Sequence, residues 1–371
     1  MRVKLKDITK FSKGTQINGK NLIDDGAYSY LNGGINPSGK WNEFNVAENT
    51  VTISEGGNSS GYVNYMNDAF WCGAHCYYLY DGPKNSKYLY YALKSQQERL
   101  FRIRSGACMP NIKKSDLGNF IIEYEKDEVR QEEVVKVLEK CELLIGDYNK
   151  KLTLLDEAVR ARFVEMFGDP VINSCQFPVQ PMTDICDIID GDRGKNYPKS
   201  EEILDDGYCL FLNAKNVTQK GFDFENCNFI TREKDDALRN GKLSRGDVVL
   251  TTRGTVGNLA YYSKNVPYEN IRINSGMVIL RMNRSILNEI YFIELFKMKL
   301  SDIKEKIASG SAQPQLPIST MNKIILMIPP LELQNQFASF VQEIDKSRSR
   351  IQKSLEASQE LFDSLMQEYF G

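Results

Sequence analysis

The chain has 371 residues, 42% of them hydrophobic and 26% charged, a globular balance with material for more than one core. No apolar run reaches the eighteen or more residues of a membrane helix, MRVKLKDITK lacks a signal-peptide core, and eight scattered cysteines suit reduced thiols, so a cytoplasmic location is expected. Lys plus Arg is 47 against 49 Asp plus Glu, and the single imidazole, His75, excludes chemistries built on several histidines.

In chain order, a first mixed segment (1–122) opens with the polar stretch Lys13 to Lys20, which includes Gln16, and continues through Asn32-Gly33-Gly34 to Asn36. The strand-like TVTI (50–53) then leads into SEGGNSSG, which carries Asn58 and Ser59, and an amphipathic helix is expected over about 86–104. Next comes a helical segment at 123–173. Its residues Val134, Leu138, Cys141, Ile145, Tyr148, Leu152, Leu155 and Val159 step by four and three, the seam of a coiled coil.

A second mixed segment (174–328) opens with Gly191-Asp192-Arg193-Gly194-Lys195, followed by Asn213, Lys215 and Asn216. After DVVL comes TTRGTVGN, with Thr252, Arg253 and Thr255; a helix is expected over 287–308, and then SGSAQPQ, with Gln313 and Gln315. The chain closes on a second helical segment (329–371), whose seam is Phe337, Val341, Ile344, Arg348, Ile351, Leu355, Ser358, Phe362, Met366 and Tyr369. Arg348 and Ser358 interrupt that stripe. About forty residues at 1.5 Å each give a rod of roughly 60 Å.

The chain is written twice. SGACMP (105–110) resembles SGSAQP (309–314), Tyr30-Leu31-Asn32 recurs as Phe211-Leu212-Asn213, and 131–168 matches 334–371, both copies ending on Phe-Gly. Such a period exceeds the roughly 20–50 residues of a solenoid repeat and instead indicates two copies of one domain-plus-helix unit, with strands inside and helices at the ends, an α+β pattern. Segment 123–169 holds 8 basic and 13 acidic residues, whereas 1–122 holds 15 basic and 10 acidic, so acid collects on the rod and base on the first head.

Several chemistries fail on their residue requirements. Gly14 to Asn21 lacks the final Ser or Thr of a phosphate-binding loop. Cys72, His75 and Cys76 have no fourth close ligand for a structural zinc, so no metal is expected. No Ser/His/Asp arrangement is readable, and the chain reads as non-catalytic. The polar loops remain. Glycines permit close backbone approach, hydroxyls and amides suit phosphates, and Arg253 can fork onto guanine; tight hairpins without a ligand fit the same residues.

LKDI, TTRGTVGN, SGSAQPQLPIS, IPPLELQNQF and RFVEMFGDP (162–170) together resemble the DNA-specificity subunits of type I restriction-modification systems, over essentially the whole chain. The resemblance implies two similar target-recognition domains, at 1–122 and 174–328, joined by two long helices packed as an antiparallel coiled coil in a pseudo-two-fold repeat. It implies double-stranded DNA with a bipartite target, two methyltransferase subunits holding S-adenosylmethionine, and motor-nuclease restriction subunits, with no cofactor in this chain. A related system that unites methylation and cleavage in one partner chain, or a coiled-coil scaffold without DNA contact, are the alternatives.

Overall fold

The computed structural model describes residues 1–106, 108–308 and 315–371. It divides into two compact units, residues 1–151 with 351–371, and residues 152–350. Among the described residues no helix is long and apolar enough to cross a membrane.

The two units repeat one topology. In the first, a four-stranded sheet runs in the order Lys10–Lys13, Cys76–Tyr80, Thr50–Ser54, Val63–Met66. In the second, the order is Cys186–Asp190, Met277–Met282, Val248–Thr251, Leu259–Tyr261. Each unit adds a three-stranded sheet with a parallel pair: Tyr28–Leu31 beside Phe70–Cys72, and Cys209–Leu212 beside Ile271–Ile273. The recurrence of Tyr30-Leu31 as Phe211-Leu212 therefore marks one strand in two copies. The inner strands Thr50–Ser54 and Val248–Thr251 are buried almost throughout, as expected of short apolar runs covered on both faces.

A helix follows each sheet, capped by an asparagine. The Asn85 side chain accepts the Tyr88 N–H at 3.0 Å, and that of Asn288 accepts the Ile290 N–H at 2.9 Å. The expected helix over 86–104 is two helices, Ser86–Lys94 and Gln97–Arg102. The Ser95 hydroxyl bonds the Ala92 carbonyl at 3.0 Å and ends the first of them. The second unit's helix spans Glu289–Ala308, starting after its Asn288 cap rather than at 287.

The long helices span Glu128–Phe167 and Leu331–Phe370. The first is shorter than the expected segment 123–173: residues 121–123 form a strand that pairs with Arg2–Lys4, and the helix runs only from Glu128 to Phe167. The two helices share a first-turn device: Gln131 and Gln334 are buried, and each donates its side-chain amide to a carbonyl just upstream, Glu125 at 2.6 Å and Pro329 at 2.8 Å. At the far end of the central helix, Gly168 adopts φ +73°, the left-handed turn that ends a helix, and its N–H reaches the Val164 carbonyl at 2.8 Å.

All eight seam positions of the central helix and all ten of the C-terminal helix are buried or half-buried. In the first unit, Val134, Val135 and Leu138 share a core with Met366 and Phe370. In the second, Val159, Phe163 and Phe167 share one with Phe337 and Val341. Within each unit the beginning of one helix thus meets the end of the other, so the pair runs antiparallel. Ile145, Leu152, Ile344, Ile351 and Leu355, nearer the helix middles, are only half-buried.

Rings close the second unit. Phe163 stacks on Tyr291 at 5.6 Å and 12° and meets Phe337 edge-on at 5.4 Å, so the helix pair is anchored to the head by aromatic contact worth about 0.5–1.5 kcal/mol per pair beyond area burial.

Candidate nucleic-acid interface

In the second unit, loops far apart in sequence converge. Arg193, Thr252, Arg253 and Gln315 line one recess of about 230 Å3, together with Asp190 and Leu316. The Thr252 and Arg253 N–H groups donate to the Gly276 carbonyl at 2.9 and 3.2 Å, the Leu316 N–H donates to the Thr252 carbonyl at 3.0 Å, and Arg253 bridges to Gln315. The Arg253 side chain is exposed on this fixed backbone. Arg193 is anchored by Asp190 at 3.1 Å and the Ser275 carbonyl at 3.2 Å. Its loop is braced by Asp192, whose carboxyl backbone N–H groups of Gly194 and Arg239 hold below the usual carboxylate range. Lys195 and Lys215 are exposed on loops beside this frame, and Thr255 is exposed in the Arg253 loop.

The first unit builds the same frame from different side chains. Lys13, at the end of its strand, lies 2.5 Å from Glu55, and the Glu55 N–H donates to the His75 carbonyl at 2.8 Å. The Asn32 side chain accepts the His75 N–H at 3.3 Å. Asn36, Asn58, Gln16 and Lys20 are exposed on neighbouring loops, with the Gln16 amide turned to the Ile17 carbonyl at 3.2 Å.

Three candidates spend their polar groups inside the protein. The Thr252 hydroxyl bonds the Gly276 carbonyl at 3.0 Å and is buried, and the Ser59 hydroxyl bonds the Gly33 carbonyl at 2.6 Å. The Asn213 side chain caps a short turn through the Lys215 N–H at 2.9 Å. They shape the loops; the groups that would face a ligand belong to their neighbours. Gln313 lies outside the described residues.

Close approach explains two glycines. A Cβ at Gly14 would fall 1.8 Å from the Cys72 carbonyl oxygen, and one at Gly191 would fall 2.2 Å from that of Asn274. Only glycine lets the loop after the first sheet strand press onto the facing turn in each unit.

Cys72, His75 and Cys76 do not converge as ligands. Both thiols are buried, whereas the imidazole is 60% exposed and its Nδ1 lies 3.5 Å from the Glu55 carboxylate. A hydrogen bond with Cys76, reinforced by burial, pushes the Cys72 thiol up, keeping it protonated. Glu55 and His75 stand in the loop frame itself, yet composition and motif point to neither as a DNA contact. Pairing Ser54 with Thr251, the last residue of each central strand, would have placed Glu55 opposite Thr252.

Comparison with known proteins decides the family. The model of the type I restriction modification DNA specificity domain matches residues 1–154 and again 177–359. The chain belongs to this family. A Mycoplasma genitalium protein named as a type I specificity subunit is 27% identical, over 96% of this chain and 90% of that protein. The type I restriction enzyme MjaIX specificity subunit of Methanocaldococcus jannaschii is 27% identical over 76% of this chain and 67% of its own length. The crystal structure of the type I restriction-modification S subunit from M. genitalium covers all of this chain and 96% of its own, with a TM-score of 0.65 at 22% identity, a likeness of fold.

This specificity subunit is the DNA-recognition component of a type I system, and catalysis resides in other subunits of the complex. Membership also accounts for the repeat: each matched span covers one head and most of the helix that follows it.

Proposed function

We propose that each head of this specificity subunit reads one half of a split duplex target, with the long helices fixing the gap between the halves. Two methyltransferase subunits dock on the helices and hold S-adenosylmethionine, and motor-nuclease subunits join them for restriction, all in the cytoplasm. The observation that supports this reading most directly is one loop frame built twice with different side chains, Glu55 and Gly56 in one head against Thr252 and Arg253 in the other. A constant frame with changed side chains suits two readers of unlike half-sites. Phosphate contacts from exposed lysines such as Lys20, Lys195 and Lys215 would position the duplex, while Arg193, Arg253 and Gln315 address base edges. The base to be methylated must leave the stack to enter a partner's pocket.

The test is to co-express the chain with its methyltransferase partner and map methylated bases in host DNA. A motif of two short half-sites with a fixed gap, lost when the chain is omitted, is expected. Methylation at unchanged sites without the chain would overturn the reading and favour a scaffold.

A further inference from the structure

The two loop frames superimpose bond by bond. The Glu55 N–H donates to the His75 carbonyl as that of Thr252 does to Gly276; the Ile112 N–H donates to the Glu55 carbonyl as that of Leu316 does to Thr252. Gly56 bridges Asn111 as Arg253 bridges Gln315. Gly56 is thus the counterpart of Arg253, and His75 the counterpart of Gly276.

The side chains are exchanged across that frame. A Cβ at Gly56 would stand 4.0 Å from the His75 Nδ1, and a Cβ at Gly276 would stand 4.0 Å from the Arg253 Cβ. In each head one of two facing positions is glycine, and the other carries a nitrogen-bearing side chain; beside Gly276 the Asn274 Oδ1 also stands, 3.3 Å from where a Cβ would be. The first head thus presents its nitrogen-bearing side chain from the opposite wall of the frame.

We propose that His75 is a DNA-contacting group of the first head, doing there what Arg253 does in the second, with its ring oriented by Glu55. The inference rests on the reading of the heads as half-site readers. The imidazole is 60% exposed, so it is open to a ligand, while Glu55 is only 15% exposed and held from its other side by Lys13. Glu55 faces the ring, Lys13 pairs with the other oxygen of that carboxylate, and the thiols of Cys72 and Cys76 lie buried. With Nδ1 turned to the carboxylate, Nε2 is the nitrogen left for DNA. In the imidazolium form it donates to an acceptor, either a phosphate oxygen or the N7 or O6 edge of guanine.

The test measures binding of the subunit, assembled with its methyltransferase partner, to a duplex bearing its mapped target. His75→Gln should bind on the order of tenfold more weakly than the wild type, and His75→Lys, which keeps a cationic donor at that position, should retain most of the affinity. If His75→Gln weakens all sequences alike and lowers the salt slope by about 1, the acceptor is a phosphate; if the loss follows one base pair of the first half-site, it is a guanine edge. Either result supports the contact. Unchanged affinity in His75→Gln, while Arg253→Ala still alters the second half-site, would overturn the inference alone. If neither variant affects DNA and methylation ignores the chain, the functional reading itself falls.

Discussion

The Arg348 guanidinium lies 2.7 Å from the Asp156 carboxylate, so the residue that interrupts the apolar stripe of the C-terminal helix meets an acid on the central helix. Arg348 also reaches Asp345, one turn back, at 3.4 Å. The break in the seam is an ion pair between helices, and its two partners are 33% and 64% exposed.

Exposed pairs contribute little, so a double-mutant cycle with Arg348→Ala and Asp156→Ala should give a coupling of about 0.2–1 kcal/mol in urea denaturation. A coupling well above that range would mean that the pair is more desolvated in solution than its exposure indicates.

The seam is not uniform. Leu138 is fully buried in the core of the first unit, whereas Leu152 is half-buried. Leu138→Ala should cost about 2–5 kcal/mol and Leu152→Ala less than about 1.5 kcal/mol. Unfolding of each variant by urea, followed by circular dichroism, ranks them; equal losses would contradict the burial gradient.

Asp235 anchors the second head. Burial works against its charge, but hydrogen bonds from Lys242 and Arg272 outweigh burial and hold the carboxyl below the usual range. Its contribution is therefore complete above the unfolded carboxyl value of about 3.9 and is lost as pH falls through the lower folded value. Stability should decline on acidification below about pH 4. Asp235→Asn leaves Arg272, only 6% exposed, without its carboxylate and should cost about 3–5 kcal/mol at neutral pH, with a flatter acid limb. Calorimetry across pH measures both.

In the second recess, Arg253→Ala should weaken binding by about 1–3 kcal/mol and relax preference at one base pair of one half-site. Arg253→Lys should restore affinity more than preference, because a lysine lacks the planar fork. Methylation mapping with randomised half-sites reads the preference. Loss spread evenly over all positions would make Arg253 a phosphate contact.

What the sequence made legible follows the range of its interactions. The helices were readable because the seam positions from Val134 to Val159 repeat over many turns, and the duplication because Gln131 and Gln334 open the same helix twice. The helix over 86–104 was overextended because Ser95 ends it through one local hydroxyl bond that periodicity does not register. The sheet order was not legible, since pairing Tyr28–Leu31 with Phe70–Cys72 in parallel joins strands some forty residues apart. At the site, the TTRGTVGN loop was found from composition. The pairing of Glu55 with His75 is not legible there, because its meaning lies in which residue faces which glycine, a relation that exists only once the loops are folded.

The division of the long helices has a consequence for the order of synthesis. The second unit is a continuous stretch, 152–350, whereas the first is completed by residues 351–371, which bring Met366 and Phe370 to the core built by Val134 and Leu138. A ribosome makes the first head first, yet that head lacks part of its core until residues 351–371 leave the exit tunnel. The half whose translation starts earlier is completed after the other, and a chain that stops at residue 350 exposes the apolar flank of its first head rather than of its second.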